Sequence, residues 1–588
     1  MTVSEFLPTS AAEMARRGWQ QVDIILVSGD AYVDHPSFGV ALIGRLLESK
    51  GFKVAMLCQP RHDRPDDFRT FGRPRLFFGI SAGNLDSIVS NYSGNGKVRD
   101  QDNYSPDGNP YFPGPREKHN RRRPDRATIR YANLARQAYD EATIVLGGIE
   151  ASLRRFGHYD YQQQKLRGSV LTDAKADLLL YGMAERAVVE VAERLARGEG
   201  LTAIAGSCQR LSPKEMAARV DLAEAEILPS LTAIKDDPAL FLVAEQAIDR
   251  AARANSAKVL VQEQQGQLVV QYPAADQLSG QELDSLYELP YTRRAHPAFG
   301  RVPAWEMIRH SLTIVRGCSG NCSFCAITRH QGSEIVSRSK GSIKGEIAEL
   351  VKLDSFKGTI SDLGGPTANL YGTSCAKGGC PRRDCLFPRP CPHLRQDEEG
   401  LLALLRECKG MAGVTKLFVS SGLRMELLLQ TPRLLRQLIR HHVPGAMKIA
   451  PEHCQPQVLH LMHKEGSQVL VDFLARCRQI GREEGKAIRF TPYFISAHPG
   501  CRPADMAELA GTARRLGLDL THVQDFTPSP GTLATAMYVS GRGPDGRPIF
   551  VARGFKQRMA QRAVLQGKGK RPPSRRRKGG KGGRGGKS

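Results

Sequence analysis

Leu312-Thr-Ile-Val-Arg316-Gly-Cys318-Ser-Gly-Asn-Cys322-Ser-Phe324-Cys325 reads as a short apolar strand running directly into a C-x3-C-x2-C loop. Only one bulky side chain, Phe324, stands between the three thiols, so one short loop can wrap a compact metal centre. A [4Fe-4S] cluster has four irons and ordinarily takes four thiolates, so three local ligands leave one iron open to a further ligand. A structural zinc site needs four ligands, often as paired C-x2-C knuckles, and no cysteine follows before Cys375. The spacing therefore favours a [4Fe-4S] cluster on Cys318, Cys322 and Cys325.

Downstream, strand candidates recur at 357–361, 416–420, 446–450, 488–495 and 520–526. Amphipathic helix patterns lie between them, as at 342–353, 425–441 and 457–482. Together with the strand at 312–316 these make six βα steps, which predicts an α/β fold with a partial (β/α)6 barrel over 301–540 and a site at the strands' C-terminal ends. Gly364-Gly365 follow the second strand, where the missing Cβ atoms let backbone approach a ligand. Ser421 and Arg424 follow the third strand and Glu452 the fourth. Cys454 and Cys501 also follow strands at this end.

Upstream, strand patterns at 23–28, 53–58, 75–79, 142–146 and 176–181 alternate with helix patterns at 36–50 and 184–197. Residues 1–204 thus predict a doubly wound α/β domain. The Pro-, Gly- and Arg-rich segment 106–126 reads as a basic surface loop. Residues 205–300 read as a connecting region with one strand pair near 257–272. From 541 to 588 the composition turns to Gly, Arg, Lys and Pro without periodicity, which predicts a disordered basic tail.

A second thiol group, Cys375, Cys380, Cys385 and Cys391, lies in a proline-interrupted loop. Four thiolates suit either a second iron–sulfur cluster or tetrahedral zinc, with His393 able to replace one ligand. Cys58, Cys208, Cys408 and Cys477 fall in regular patterns and read as packing residues.

The thirteen cysteines, in a chain of 588 residues, are odd in number, and seven lie between 318 and 391. That clustering suggests metal in a reducing compartment rather than disulfides. The N-terminus lacks an apolar signal core and no stretch suits a bilayer span, so the expected location is cytoplasmic with no membrane partner. Net charge is +24, of which ten come from 566–588. That tail is a candidate nucleic-acid contact through phosphates.

The three-cysteine loop, with an aromatic before its third cysteine, resembles the signature of radical S-adenosylmethionine (SAM) enzymes. Asp362-Leu-Gly-Gly-Pro-Thr-Ala-Asn369, Ala450-Pro-Glu-His453, the Cys375 to Cys391 group and the basic tail are similar to those of the YgiQ family. The resemblance implies a [4Fe-4S] cluster, SAM bound at its open iron, a flavodoxin- or ferredoxin-type electron donor and an unidentified substrate. Gly364-Gly365 resemble the superfamily's GGE motif, with Pro366 in place of the acid. Ser421, Arg424 and Glu452 are implied SAM contacts. The first domain resembles cobalamin-binding domains in placement, but Asp34-His35-Pro-Ser-Phe-Gly39 departs from their D-x-H-x-x-G spacing and argues against cobalamin. An RNA-modifying, methylthiotransferase-like protein and a non-catalytic iron–sulfur scaffold are the alternative expectations.

Overall fold

The computed structural model describes residues 5–565 apart from 255, 379, 381 and 382. The expected tail at 566–588 lies outside them.

The first half is built on one nine-stranded sheet. Its strands are β1 (Ile24–Ser28), β2 (Val54–Cys58), β3 (Phe77–Ser81), β4 (Ile144–Leu146), β5 (Leu178–Leu180), β6 (Ser207–Leu211), β7 (Ala225–Leu228), β8 (Val259–Gln264) and β9 (Gln267–Gln271). Their spatial order is β2-β1-β3-β4-β5-β6-β9-β8-β7. The first five run parallel, so the chain reverses its direction of growth between β1 and β3. Alternate residues explain why β1 is apolar throughout. Ile24 and Leu26 pack with helices Gly39–Ser49 and Glu185–Ala196, while Ile25 and Val27 pack with helix Ala127–Ala138. A parallel sheet covered on both faces has no polar side to show.

The segment 205–300 is not a separate connector. Strands β6, β8 and β9 extend the sheet in antiparallel fashion, whereas Leu231, Ile234, Phe241 and Leu242 join the core of the second half. Nor is 106–126 simply a basic surface loop. Arg121 and Arg123 are buried, and Arg123 pairs with both Asp30 and Asp102. Composition suggests solvation here because the acidic partners lie far away in sequence.

The second half alternates strand and helix, but its strands pair in small groups. Besides a short pair in the second thiol group they are β10 (Ser311–Thr313), β11 (Val315–Arg316), β12 (Val336–Ser337), β13 (Thr359–Ile360), β14 (Asp362–Gly364), β15 (Lys416–Leu417), β16 (Ala446–Glu452), β17 (Arg489–Ser496) and β18 (Val523–Asp525). β10 pairs with β14, β13 with β15, and β16 with β17 and then β18, all in parallel. Two of the long helices expected from the sequence are broken. The pattern at 425–441 divides into Met425–Leu428, Pro432–Gln437 and a π-helical turn Leu438–His442. Pro432 can open a helix but cannot sit inside one. The pattern at 457–482 divides into Pro456–Leu461 and Ser467–Glu483, with His463 at φ +57° in the break.

The expected disorder from 541 onward begins too early. Helix Phe555–Leu565 packs on the second half. Buried Gln561 accepts from Ala497 N (3.0 Å) and donates to Cys501 O (2.8 Å). A few apolar residues and one well-placed amide suffice to dock a segment whose overall composition looks unfoldable.

Candidate metal and cofactor centre

The thiol loop is closed at its base by the antiparallel pair β11 and β12. Gly317, at φ +82°, must be glycine, since a Cβ there would lie 1.7 Å from Glu334 O. Above that base the loop is tied from several sides. Ser323 N donates to Met462 O (3.0 Å) and Ser323 Oγ to Leu461 O (2.7 Å). Asn321 Nδ2 donates to Arg383 O (2.9 Å), while Asn321 O accepts from His463 Nδ1 (2.9 Å). Ala534 N donates to Ser323 O (2.8 Å). Phe324 stacks edge-on against His498 at 6.1 Å. A loop held this way keeps its thiols close together, and Cys322 and Cys325 both feel the charge of Cys318.

Buried charge surrounds the thiols. Arg424 Nη1 lies 3.5 Å from Cys322 Sγ. The same guanidinium bonds Glu426 (Nε to Oε1, 2.7 Å) and reaches Glu465 at 3.4 Å, and Lys464 pairs with Glu465 at 3.1 Å. Asn369 fixes the backbone here, accepting from Arg424 N (2.9 Å) and donating to Arg424 O (3.0 Å). Burial pushes the Cys322 thiol up, with Arg424 and Lys464 opposing, and lifts Cys325 to about 12. Burial likewise lifts the Glu452 carboxyl to about 7, against Lys464 and Arg424. Metal must therefore displace protons from these thiols on binding, and the nearby cations suit the negative charge of a thiolate-ligated cluster.

The two glycines answer to packing. A Cβ on Gly364 would lie 2.1 Å from Ser421 Oγ, and one on Gly365 would lie 2.5 Å from Val315 O. Ser421 itself donates to the Asp362 carboxylate, which also accepts from Ser420 N (2.7 Å) and Ser421 N (3.0 Å). Asp362, which motif reading gives only as the first residue of a matching stretch, and Glu426, Lys464 and Glu465, which it does not give, are neighbours here. The last two hide in what looks like a continuous helix.

The Radical SAM N-terminal family matches residues 6–311. A UPF0313 protein of Methanocella arvoryzae is 42% identical over 563 residues, which is 94% of this chain and 92% of that one. One of Geobacter sulfurreducens is 44% identical over 569 residues, 95% and 92% of the two chains. This chain belongs to the UPF0313 family. It is a radical SAM enzyme, with an iron–sulfur cluster and SAM as its cofactors. Among solved structures, the radical SAM methyltransferase TsrM of Kitasatospora setae, with tryptophan and a SAM analogue, is similar at TM-score 0.46 and 13% identity, covering 86% of this chain and 74% of that one. The cobalamin-dependent SAM radical enzyme OxsB, with aqua-cobalamin, is similar at 0.46 and 11%, covering 95% and 57%.

In the UPF0313 chain the second thiol group sits beside the first. Cys385 and Cys318 pack against one apolar group of Leu370, Leu386 and Leu427. Cys391 N donates to Cys385 O (2.8 Å), and the pairing of Ser374–Cys375 with Leu394–Arg395 closes the loop. Burial, with Cys391, Cys375 and Cys380 adding to it, raises the Cys385 thiol to about 11. The four are therefore neighbours. His393 gives its carbonyl to Ala376 N (2.9 Å). Among the described residues no three His, Cys, Asp or Glu side chains converge tightly enough to hold one metal ion. Thiolates on a cube bind different irons and stand further apart than ligands of a single ion. Cys454 and Cys501 do not line an open mouth: both are buried, and Cys501 Sγ lies 3.5 Å from His453 Nε2. His35 is buried, with one ring nitrogen accepting from Ser37 N (3.1 Å) and the other 3.4 Å from Arg293. No helix among the described residues is long and apolar enough to cross a membrane.

Proposed function

We propose that residues 301–540 form the partial (β/α)6 barrel of a YgiQ-type radical SAM enzyme, in which Cys318, Cys322 and Cys325 hold the [4Fe-4S] cluster. The observation that carries this reading is the thiol loop, which is pinned from four segments and has one thiol within reach of a buried arginine. When bound, the cluster supplies the electron that splits SAM into methionine and a 5′-deoxyadenosyl radical. The chain's own residues provide position and polarity. Arg424 and Lys464 offset negative charge near the thiolates. Glu452, at the end of β16, and the backbone of Gly364-Gly365 are the SAM contacts, and Arg424 serves both groups. Ser421 acts through Asp362, with which it is already bonded. The first half, residues 1–300, supports this centre, and a soluble flavodoxin- or ferredoxin-type donor in the cytoplasm supplies the electron.

Anaerobically reconstituted protein should form 5′-deoxyadenosine from SAM after dithionite reduction. The Cys322→Ala variant should lose that product and the cluster's absorbance while keeping the wild-type circular dichroism spectrum. Product from the variant would reject the ligand assignment. Cys375, Cys380, Cys385 and Cys391 are proposed to hold a second metal centre. A variant with Cys318, Cys322 and Cys325 all changed to Ala should still retain iron or zinc, and metal-free protein would rule that centre out.

A further inference from the structure

The two thiol groups differ in what surrounds them. Ser319, Asn321 and Ser323, between the first three thiols, are buried, whereas 374–378 in the second loop are exposed, Cys375 included. From 375 to 396 the sequence holds five cations and one acid, Asp384. That acid is already engaged: its Oδ1 lies 2.7 Å from Arg253 Nη1 and 3.6 Å from His463 Nε2. Of the next acids along the chain, Asp397 accepts from Gly400 N (2.8 Å), and Glu398 and Glu399 pair with Arg433. Lys377, Arg389 and Arg395 are exposed, and their side chains form no ion pair among the described residues. Soluble surfaces ordinarily intersperse both signs. This loop presents one sign outward.

Behind that positive face the second loop is joined to the first. Cys385 and Cys318 share the apolar group of Leu370, Leu386 and Leu427. Asn321 Nδ2 donates to Arg383 O (2.9 Å), and Asn321 O accepts from His463 Nδ1 (2.9 Å). The His463 ring lies 4.0 Å from that of Phe387. Arg253, which holds Asp384, also pairs with Asp249, and Asp249 with Arg329 (2.9 Å) on the helix after the third thiol. The exposed loop and the thiol loop are thus one braced unit. A partner seated on the exposed side would stand one loop's width from the first thiol group.

We propose that the loop 375–395 is the docking face for an acidic one-electron carrier protein, with Lys377, Arg389 and Arg395 as its contacts. The proposal rests on the reading of Cys318, Cys322 and Cys325 as cluster ligands. Electron-transfer encounters use small interfaces and are steered by opposite charge. One electron leaves the carrier and enters the cluster, and no bond on this chain forms or breaks. The probe is purified flavodoxin, an acidic flavin carrier, with the reconstituted full-length protein. Lys377→Glu, Arg389→Glu and Arg395→Glu are combined in one variant, whose circular dichroism and iron content should match wild type. Its flavodoxin binding at low salt should weaken by about tenfold or more, and reduction of its cluster by reduced flavodoxin should slow by a similar factor. Reduction by dithionite should be unchanged. If iron content falls, Lys377→Ala with Arg395→Ala is the milder variant, with the same direction expected. Arg575→Glu, Arg576→Glu and Arg577→Glu together test the basic C-terminal residues and should leave reduction by flavodoxin as it is. The docking face is overturned by wild type that does not bind flavodoxin, by equal binding and reduction in wild type and the loop variant, or by loss in the C-terminal variant instead. Wild type that dithionite cannot reduce would sink the cluster reading, and the binding data would still decide the docking face.

Discussion

In the first half, nine strands share a single hydrogen-bonded sheet from Ile24 to Gln271, whereas the strands of the second half join in twos and threes and their loops are secured by side chains. The first arrangement distributes stability over a ladder, and its buried ion pairs, such as Arg154 with Asp86, sit deep inside. The second leaves strand ends free to carry thiols and charges, each fixed by a few specific bonds. The contrast separates the part of the chain that resists unfolding from the part that presents chemistry, in keeping with rigid scaffolds bearing functional loops.

Three perturbations test that separation, in falling order of size. Arg123→Ala leaves Asp30 and Asp102 buried without their partner, which costs about 3–5 kcal/mol. The first half's unfolding transition should move to lower denaturant while iron incorporation below that transition is unaffected; loss of iron before loss of fold would break the contrast. Next is acid. His442 is buried against Leu417 O, and burial, with Lys409 and His441 adding repulsion, lowers its imidazole from 6.5 to about 4. A depressed histidine contributes stability that is present above pH 6.5 and lost as pH falls towards 4, up to about 3 kcal/mol. His442→Gln should flatten the second half's pH dependence across that window, measured by urea midpoints, and an unchanged slope would reject the assignment. The smallest effect is Gln561→Ala, which leaves Ala497 N and Cys501 O without their partner at about 1–3 kcal/mol. Hydrogen exchange at 497–501 should accelerate, and wild-type protection would show that the helix Phe555–Leu565 is not what holds this turn.

The same contrast governs what the sequence reveals. The thiol loop is legible because its three cysteines lie within eight residues and their spacing is a local pattern. The parallel strands β1 to β5 are legible because burial on both faces leaves continuous apolar runs. Of the later strands the pair β8 and β9 is legible near 257–272, but β6 and β7 are not, and the pairing of β6 with β9 spans a long separation that no local pattern encodes. Arg123 looks solvated because Asp30 is remote in sequence. Lys464 and Glu465 look like helix surface because the break at His463 holds no proline, and its one glycine, Gly466, is a residue that helix patterns tolerate. Cys454 and Cys501 follow strands as expected, but following a strand does not decide exposure.

The short helix Ile327–Gln331 that follows the third thiol is fastened to the first half: His330 Nδ1 meets Ser152 Oγ at 3.2 Å, while Arg316, at the other end of the loop, bonds Glu185. Both ends of the thiol-bearing segment are thus tied to the first half. Any displacement of one half against the other would tug on the two anchors at once, so the attitude of the thiols depends on how the halves are seated.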